Sequence, residues 1–163
     1  MERSEVDRKY LWKTEDIFPS DEAWEKSYAE AEQILDFSEF EGKLGKIENY
    51  VAYNQRLEQA AAKVERLYLY AHMRHDEDSR ISKYTAMQSR AMSLYVRLSS
   101  ATAFVEPELS ALDEKTLQSY ASDERLKDYD YFLRQLMKSK KHVLSAPEER
   151  LLAAGGEVFS QFR

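Results

Sequence analysis

An all-α fold, an array of long antiparallel amphipathic helices with a short extended N-terminal arm, follows from three features of the sequence. Glycine and proline supply only 4 and 3 of the 163 residues, against a combined average usage of about 12%. Residues that make tight turns are therefore scarce, and such a chain is best satisfied by long helices joined by few, short breaks. Apolar residues recur at steps of three and four over long stretches, the spacing that gathers them on one helical face. Capping signals stand at the expected starts and stops of these stretches.

Residues 1 to 18 carry no such stripe. Lys9-Tyr10-Leu11-Trp12 through Ile17-Phe18-Pro19 reads as an extended arm whose aromatics need a surface to lie on. The expected division is an arm over 1–19 and a helical domain over 20–163. Ser20 opens the first helix: its hydroxyl can accept a backbone N–H, and Asp21 and Glu22 sit where the helix dipole favours anions. Trp24, Tyr28, Ala31 and Leu35 follow on one face. Residues 36–45 read as a loop, with Gly42 and Gly45 as its flexible points.

The second helix is expected from about Glu48 to about His75, with a stripe of Tyr50, Tyr53, Leu57, Ala61, Val64, Tyr68 and Ala71. The polar run from His75 to Arg80 is the turn into a third helix from about Ser82 to Phe104, striped by Tyr84, Met87, Ala91, Leu94, Leu98 and Ala101. Glu106-Pro107 is expected to end it, because a residue before proline is pushed out of the helical region. A short helix from about Glu114 to Tyr120, capped by Asp113, precedes one from about Glu124 to Lys140 that buries Leu126, Tyr129, Leu133 and Leu136 or Met137. Ser145 and Glu148 match the capping box, Pro147 suits a first helical turn, and Leu151, Leu152, Val158 and Phe159 continue the pattern. Phe159 to Arg163 is an apolar-bearing segment without a capping glycine or polar tail, so the helical domain is expected to be truncated at its C-terminal end.

Composition narrows the chemistry. Lys plus Arg number 24 and Asp plus Glu 30, a net charge of −6, which disfavours nucleic acid as a partner. The absence of cysteine excludes disulfides, thiolate metal sites and cysteine nucleophiles. The polar first twenty residues and the lack of any apolar run near the ~20 residues of a bilayer span predict neither a signal peptide nor a membrane anchor.

Candidate sites are few. His72 and His75 lie three apart beside Asp76 and Asp78, so a metal site, or a metal sensor, is conceivable. The pair lacks both the His-Glu-x-x-His spacing and the Glu-x-x-His of di-iron bundles, and it reads more simply as polar residues closing a helix. Lys138, Lys140, Lys141 and His142 form a compact basic cluster, better explained as cations offsetting a helix dipole than as a nucleic-acid patch. The tyrosines of Leu67-Tyr68-Leu69-Tyr70 and Tyr129-Asp130-Tyr131 could serve as peptide-binding hydroxyls or simply pack with their tips in water. With no Gly-rich loop and no Gly-x-Ser-x-Gly, no triad or phosphate cradle can be built.

Four ordered anchors carry a family resemblance. They are Lys9-Tyr10-Leu11-Trp12 with Asp16-Ile17-Phe18 and Asp21-Glu22-Ala23-Trp24; Leu67 to Met73 with Asp76-Glu77-Asp78; Phe104-Val105-Glu106-Pro107-Glu108-Leu109; and Lys140 to Glu149. The last, a His-x-Leu-Ser-x-x-Glu-Glu pattern, is the most specific. Together the anchors resemble the N-terminal region of oligoendopeptidase F, of the thimet-type zinc metallopeptidases. The resemblance implies a cytoplasmic zinc endopeptidase of short oligopeptides, whose helical N-terminal part walls a deep groove. In that family the His-Glu-x-x-His and the third glutamate ligand lie well beyond a position such as 163, so no catalytic, cofactor-binding or metal-binding residue is assigned to this chain. The implied partners are the rest of the catalytic domain and the peptide substrate. The alternative is a stand-alone helical interaction module without catalysis, with Tyr10 to Phe18 and Val158 to Phe162 as its contact surfaces. Exposed apolar helix faces would also permit self-association.

Overall fold

The computed structural model describes residues 6–140, which are helical and contain no strand. The expected elements around Ser145, Leu151 and Phe159, together with Lys141 and His142, lie outside the described residues. The chain divides into two compact units, Met1–Glu108 and Leu109–Arg163.

In the first unit the arm is not a plain extended stretch. It makes short 3₁₀ turns at Arg8–Tyr10 and Thr14–Asp16, because backbone N–H groups of Ile17 and Phe18 both return to the Thr14 carbonyl. Helix α1 spans Asp21–Ile34, and the Ser20 hydroxyl accepts from the Ala23 N–H at 3.3 Å. Helix α2 runs Ile47–Glu77 and α3 Ser82–Ala101. Contacts between them pair Tyr68 with Tyr95, His72 with Gln88 and Arg74 with Tyr84. Rising numbers on one helix meet falling numbers on the other, so the two form an antiparallel hairpin. Helix α1 lies along this hairpin, antiparallel to α2 through Asp21–Tyr70 and Glu30–Lys63 and parallel to α3 through Glu25–Arg90 and Glu32–Arg97.

Trp24 is the anchor of this arrangement. Its indole is fully buried and its Nε1–H donates to the Leu67 carbonyl of α2 at 2.8 Å, which removes the penalty of burying an unpaired donor. Helix α3 buries Tyr84, Met87, Ala91, Leu94 and Leu98 of the stripe expected of it, while Ala101 at its end is half-buried. Helix α2 departs from its stripe: Leu57, Ala61 and Tyr68 are half-buried, whereas Ala60, Leu67 and Tyr70 are buried. A helix flanked by α1 on one side and α3 on the other buries a wider arc than a single stripe provides.

The loop between α1 and α2 is ordered by its own aromatics. Phe37 and Phe40 meet Tyr53 edge-on at 5.7 and 5.8 Å, and Phe104 approaches the same ring at 6.1 Å. Burial, aided by neighbouring Tyr50, pushes the Tyr53 phenol up to about 12 against a hydrogen bond with Thr102. Gly42 sits at φ +73°, a left-handed conformation. The Glu108 carboxylate accepts from the Gly42 and Leu44 N–H groups at 2.9 and 2.5 Å.

Pro107 does not close the third helix. Helix α3 already ends at Ala101, where both the N–H and the hydroxyl of Thr102 donate back to the Leu98 carbonyl. Pro107 is the third residue of α4 (Val105–Ala111), within the first turn, where no N–H has an intrahelical partner to lose.

The second unit continues with α5, Glu114–Ala121, where Asp113 accepts from the Thr116 N–H at 2.9 Å as the expected cap. The expected helix from Glu124 begins instead as a 3₁₀ turn, Glu124–Tyr129, before α6, Asp130–Lys140. Asp123 accepts from both the backbone and the guanidinium of Arg125, holding the tighter turn. Leu117, Tyr120, Leu126, Leu133 and Leu136 are buried, while Tyr129 and Met137 are half-buried.

Two outcomes follow. Trp24→Ala lowers stability by about 3–5 kcal/mol, read from urea unfolding by linear extrapolation. A Cβ at Gly42 meets nothing within 4 Å, so Gly42→Ala costs only the left-handed backbone, about 1–2 kcal/mol; a larger loss in the same measurement would show that packing, not φ, holds this turn.

Candidate functional site

The first unit concentrates its polar contacts along the seam between α1 and the hairpin. Lys83, Arg90 and Arg97 recur every seven residues on α3, two helical turns apart, and so share one face. Each meets an acid of α1: Lys83 with Asp21 at 2.7 Å, Arg90 with both oxygens of Glu25 at 2.7 and 2.8 Å, and Arg97 with Glu32 at 2.6 Å. The Arg90 guanidinium also lies 5.1 Å from the Trp24 ring and 4.2 Å from the Tyr28 ring. On α2, Lys63 meets Glu30 at 2.6 Å and Arg66 donates to the Ile17 carbonyl at 2.9 Å.

At the start of α1 these contacts converge into a node. The Tyr70 hydroxyl donates to Asp21 Oδ1 at 2.7 Å, and Lys83 and the Tyr84 hydroxyl donate to Oδ2 at 2.7 and 3.4 Å. Arg74 donates to the Tyr84 hydroxyl and to Glu77, with its guanidinium 4.5 Å from the Tyr84 ring. Burial works to raise the Asp21 pKa, but the hydrogen bonds from Lys83 and Tyr70 outweigh it and hold the carboxyl below its ordinary 3.8. Burial and the hydrogen bond to Asp21 together push the Tyr70 phenol up. The Lys83 ammonium is raised, chiefly by its bond to Asp21. A cleft of about 300 Å³ opens beside the node, lined by Thr14, Glu15, Ser20, Asp21, Tyr70 and Arg74 among others. Asp21 is committed to Lys83 and Tyr70, and Arg74 to Tyr84 and Glu77, so the node locks the helix start.

The residues singled out from sequence fall elsewhere. His72 contacts Gln88 through Nδ1 at 2.7 Å and Asp76 through Nε2 at 3.5 Å, and it stacks on Tyr68 at 5.4 Å. His75 contacts Asp76 at 3.1 Å, and Asp78 is held by Arg80, which draws its pKa down to about 2. Among the described residues no group of three or more His, Asp or Glu side chains is arranged to hold a metal ion. Of the basic cluster, Lys140 donates to the Leu112 carbonyl while Lys138 is exposed. Tyr70 is buried in the node, Tyr68 packs edge-on against Tyr95 at 5.6 Å, and Tyr131 is exposed. The seam itself was missed, although its signal lay in the seven-residue spacing of Glu25 and Glu32 on α1 and of Lys83, Arg90 and Arg97 on α3.

Comparison with known proteins gives this architecture a context. A family profile described as Oligopeptidase F matches residues 108–163. The chain is 37% identical to oligopeptidase PepF of Bacillus subtilis over 96% of its own length and 24% of that protein's. It is 33% identical to the plasmid oligoendopeptidase F of Lactococcus lactis subsp. cremoris, over 96% of this chain and 27% of that protein. Among solved structures, the oligoendopeptidase-F of Enterococcus faecium aligns with a TM-score of 0.64 at 31% identity, over 85% of this chain and 27% of that one. A peptidase structure from Chlamydophila abortus shares the fold with a TM-score of 0.79 at 22% identity. The described residues thus form an all-helical fold similar to part of several bacterial peptidases. Specifically, the chain is similar over nearly its whole length to part of proteins named oligoendopeptidase F, and it spans about a quarter of the length of the curated relatives it matches.

The node predicts a pH dependence. A depressed Asp21 pKa contributes stability above its unfolded value and loses it as pH falls through the native value; a raised Lys83 pKa contributes below its unfolded value, 10.5, and loses it above. Asp21→Asn lowers stability at pH 7 by about 1–3 kcal/mol and flattens the loss of urea midpoint below pH ~4. An unchanged acid limb in the variant would show that Asp21 does not couple folding to protonation.

Proposed function

We propose that this chain is the amino-terminal helical portion of a cytoplasmic zinc metalloendopeptidase that hydrolyses short oligopeptides. In this reading it walls the substrate groove, and the zinc site belongs to the part of the relatives that the chain does not match. The observation that carries the reading is the alignment of 96% of this chain with only 24% of a peptidase named for oligopeptides. The residues described do not fit a zinc site: His72 is committed to Gln88 and Asp76 and His75 to the same Asp76, and among the described residues no three such side chains converge on a point a metal ion could occupy. What the chain's own residues supply is a fixed wall: α1 is tied to both helices of the hairpin by Trp24 and by Lys63, Lys83, Arg90 and Arg97, and the arm by Arg66. Among the described residues no helix is long and apolar enough to cross a membrane. A stand-alone interaction module is the second reading, favoured by the exposed rings of Tyr10 and Trp12.

An internally quenched fluorescent peptide separates the two. The 163-residue chain gives no turnover with or without added zinc, whereas a polypeptide extended to the full length of the relatives cleaves it and is silenced by a chelator. Chelator-sensitive turnover by the 163 residues alone would overturn the assignment; an inactive extended polypeptide would favour the interaction module.

A further inference from the structure

The charges of the α2–α3 hairpin are sorted by face. All seven Lys and Arg residues of these helices, Arg56, Lys63, Arg66, Arg74, Lys83, Arg90 and Arg97, are engaged by α1, the arm, the α1–α2 loop or the node. The opposite face of the hairpin carries none of them. At 100° per residue, Glu65, Leu69 and His72 of α2 and Met92 and Val96 of α3 point away from α1, with the Tyr68–Tyr95 pair in the crease between the helices. Leu69, Met92 and Val96 are 44%, 46% and 61% exposed. Glu65 is exposed close to this crease and its charge helps to raise the Tyr95 phenol, after burial. Helix α3 contains no acidic residue, so α2 sets the sign of the face. The result is an apolar, aromatic crease with Glu65 at its rim and, among the described residues of the hairpin, no Lys or Arg.

We propose that this crease docks a cationic peptide segment with interleaved apolar side chains, seated on Tyr68, Tyr95, Met92 and Val96 with a positive charge against Glu65. Charge complementarity selects the occupant: an acidic segment would meet Glu65 with nothing to offset it, whereas a cation satisfies it and apolar neighbours cover the exposed aliphatics. This rests on the groove-wall reading and deepens it, naming cationic oligopeptides as the substrate class that this wall favours.

The test is fluorescence anisotropy with the 163-residue chain and a labelled nine-residue peptide alternating Lys and Phe, beside its Glu–Phe counterpart. The Lys peptide binds, the Glu peptide binds at least about tenfold more weakly, and the difference shrinks at high salt. Glu65→Lys and, separately, Val96→Asp each weaken the Lys peptide by about fivefold or more, while far-UV circular dichroism and the urea midpoint show both variants folded. Equal binding of the two peptides, no binding of either, or binding unchanged in both folded variants would overturn the proposal. None of these results bears on whether an extended polypeptide hydrolyses peptides, so failure here and failure of the peptidase reading remain distinguishable.

Discussion

The first unit depends on the seating of one indole. Trp24 is the largest fully buried side chain, and its N–H reaches a main-chain carbonyl in the middle of α2. A ring of that size would stabilise α1 wherever it was buried, but the hydrogen bond fixes both its rotation and its height along the hairpin. With Trp24 in place, Asp21 falls beside Tyr70 and Lys83, and one and three turns further on Glu25 and Glu32 fall beside Arg90 and Arg97. The exposed pairs on that seam contribute little individually. Their effect is to penalise any other register, because a one-turn slip would put every pair out of reach together.

Much of this was legible in the sequence, and what was not has identifiable causes. The α3 stripe was read correctly because α3 has one buried face and few aromatics to blur its period. The caps Ser20 and Asp113 were read because a side-chain acceptor before a helical run has a specific local role. Pro107 misled because proline breaks a helix interior and starts a helix equally well; only the early end of α3 at Thr102 decides which. The α2 stripe was half right for a non-local reason: a single period cannot anticipate that two different helices claim two sides of it.

The candidate site residues stand differently. Histidines beside acids drew notice because of their chemistry, yet the structure commits them to each other and to Gln88. The residues that matter for architecture are ordinary Glu, Lys and Arg, whose meaning appears only once two heptad spacings, 65 residues apart in sequence, are laid side by side. The crease on the other face is equally plain in composition: Leu69, Met92 and Val96 stand outside the stripes of their helices, and sequence alone does not say whether such residues are incidental or form one surface.

Glu108 has a consequence for how the chain acquires its shape. Its carboxylate ties the Gly42 and Leu44 N–H groups across 66 and 64 residues, a span that encloses the whole hairpin. As the polypeptide emerges from a ribosome, α1, α2 and α3 are complete before this clamp exists. Closing a loop of that length costs conformational entropy that only an already formed hairpin can reduce. The α1–α2 connection is therefore the last part of the unit to settle, and until residue 108 has been made Phe37 and Phe40 are held by Tyr53, by each other and by Arg56 over Phe37. In a growing chain these two aromatics therefore stay open to a chaperone for longer than the core of the hairpin does.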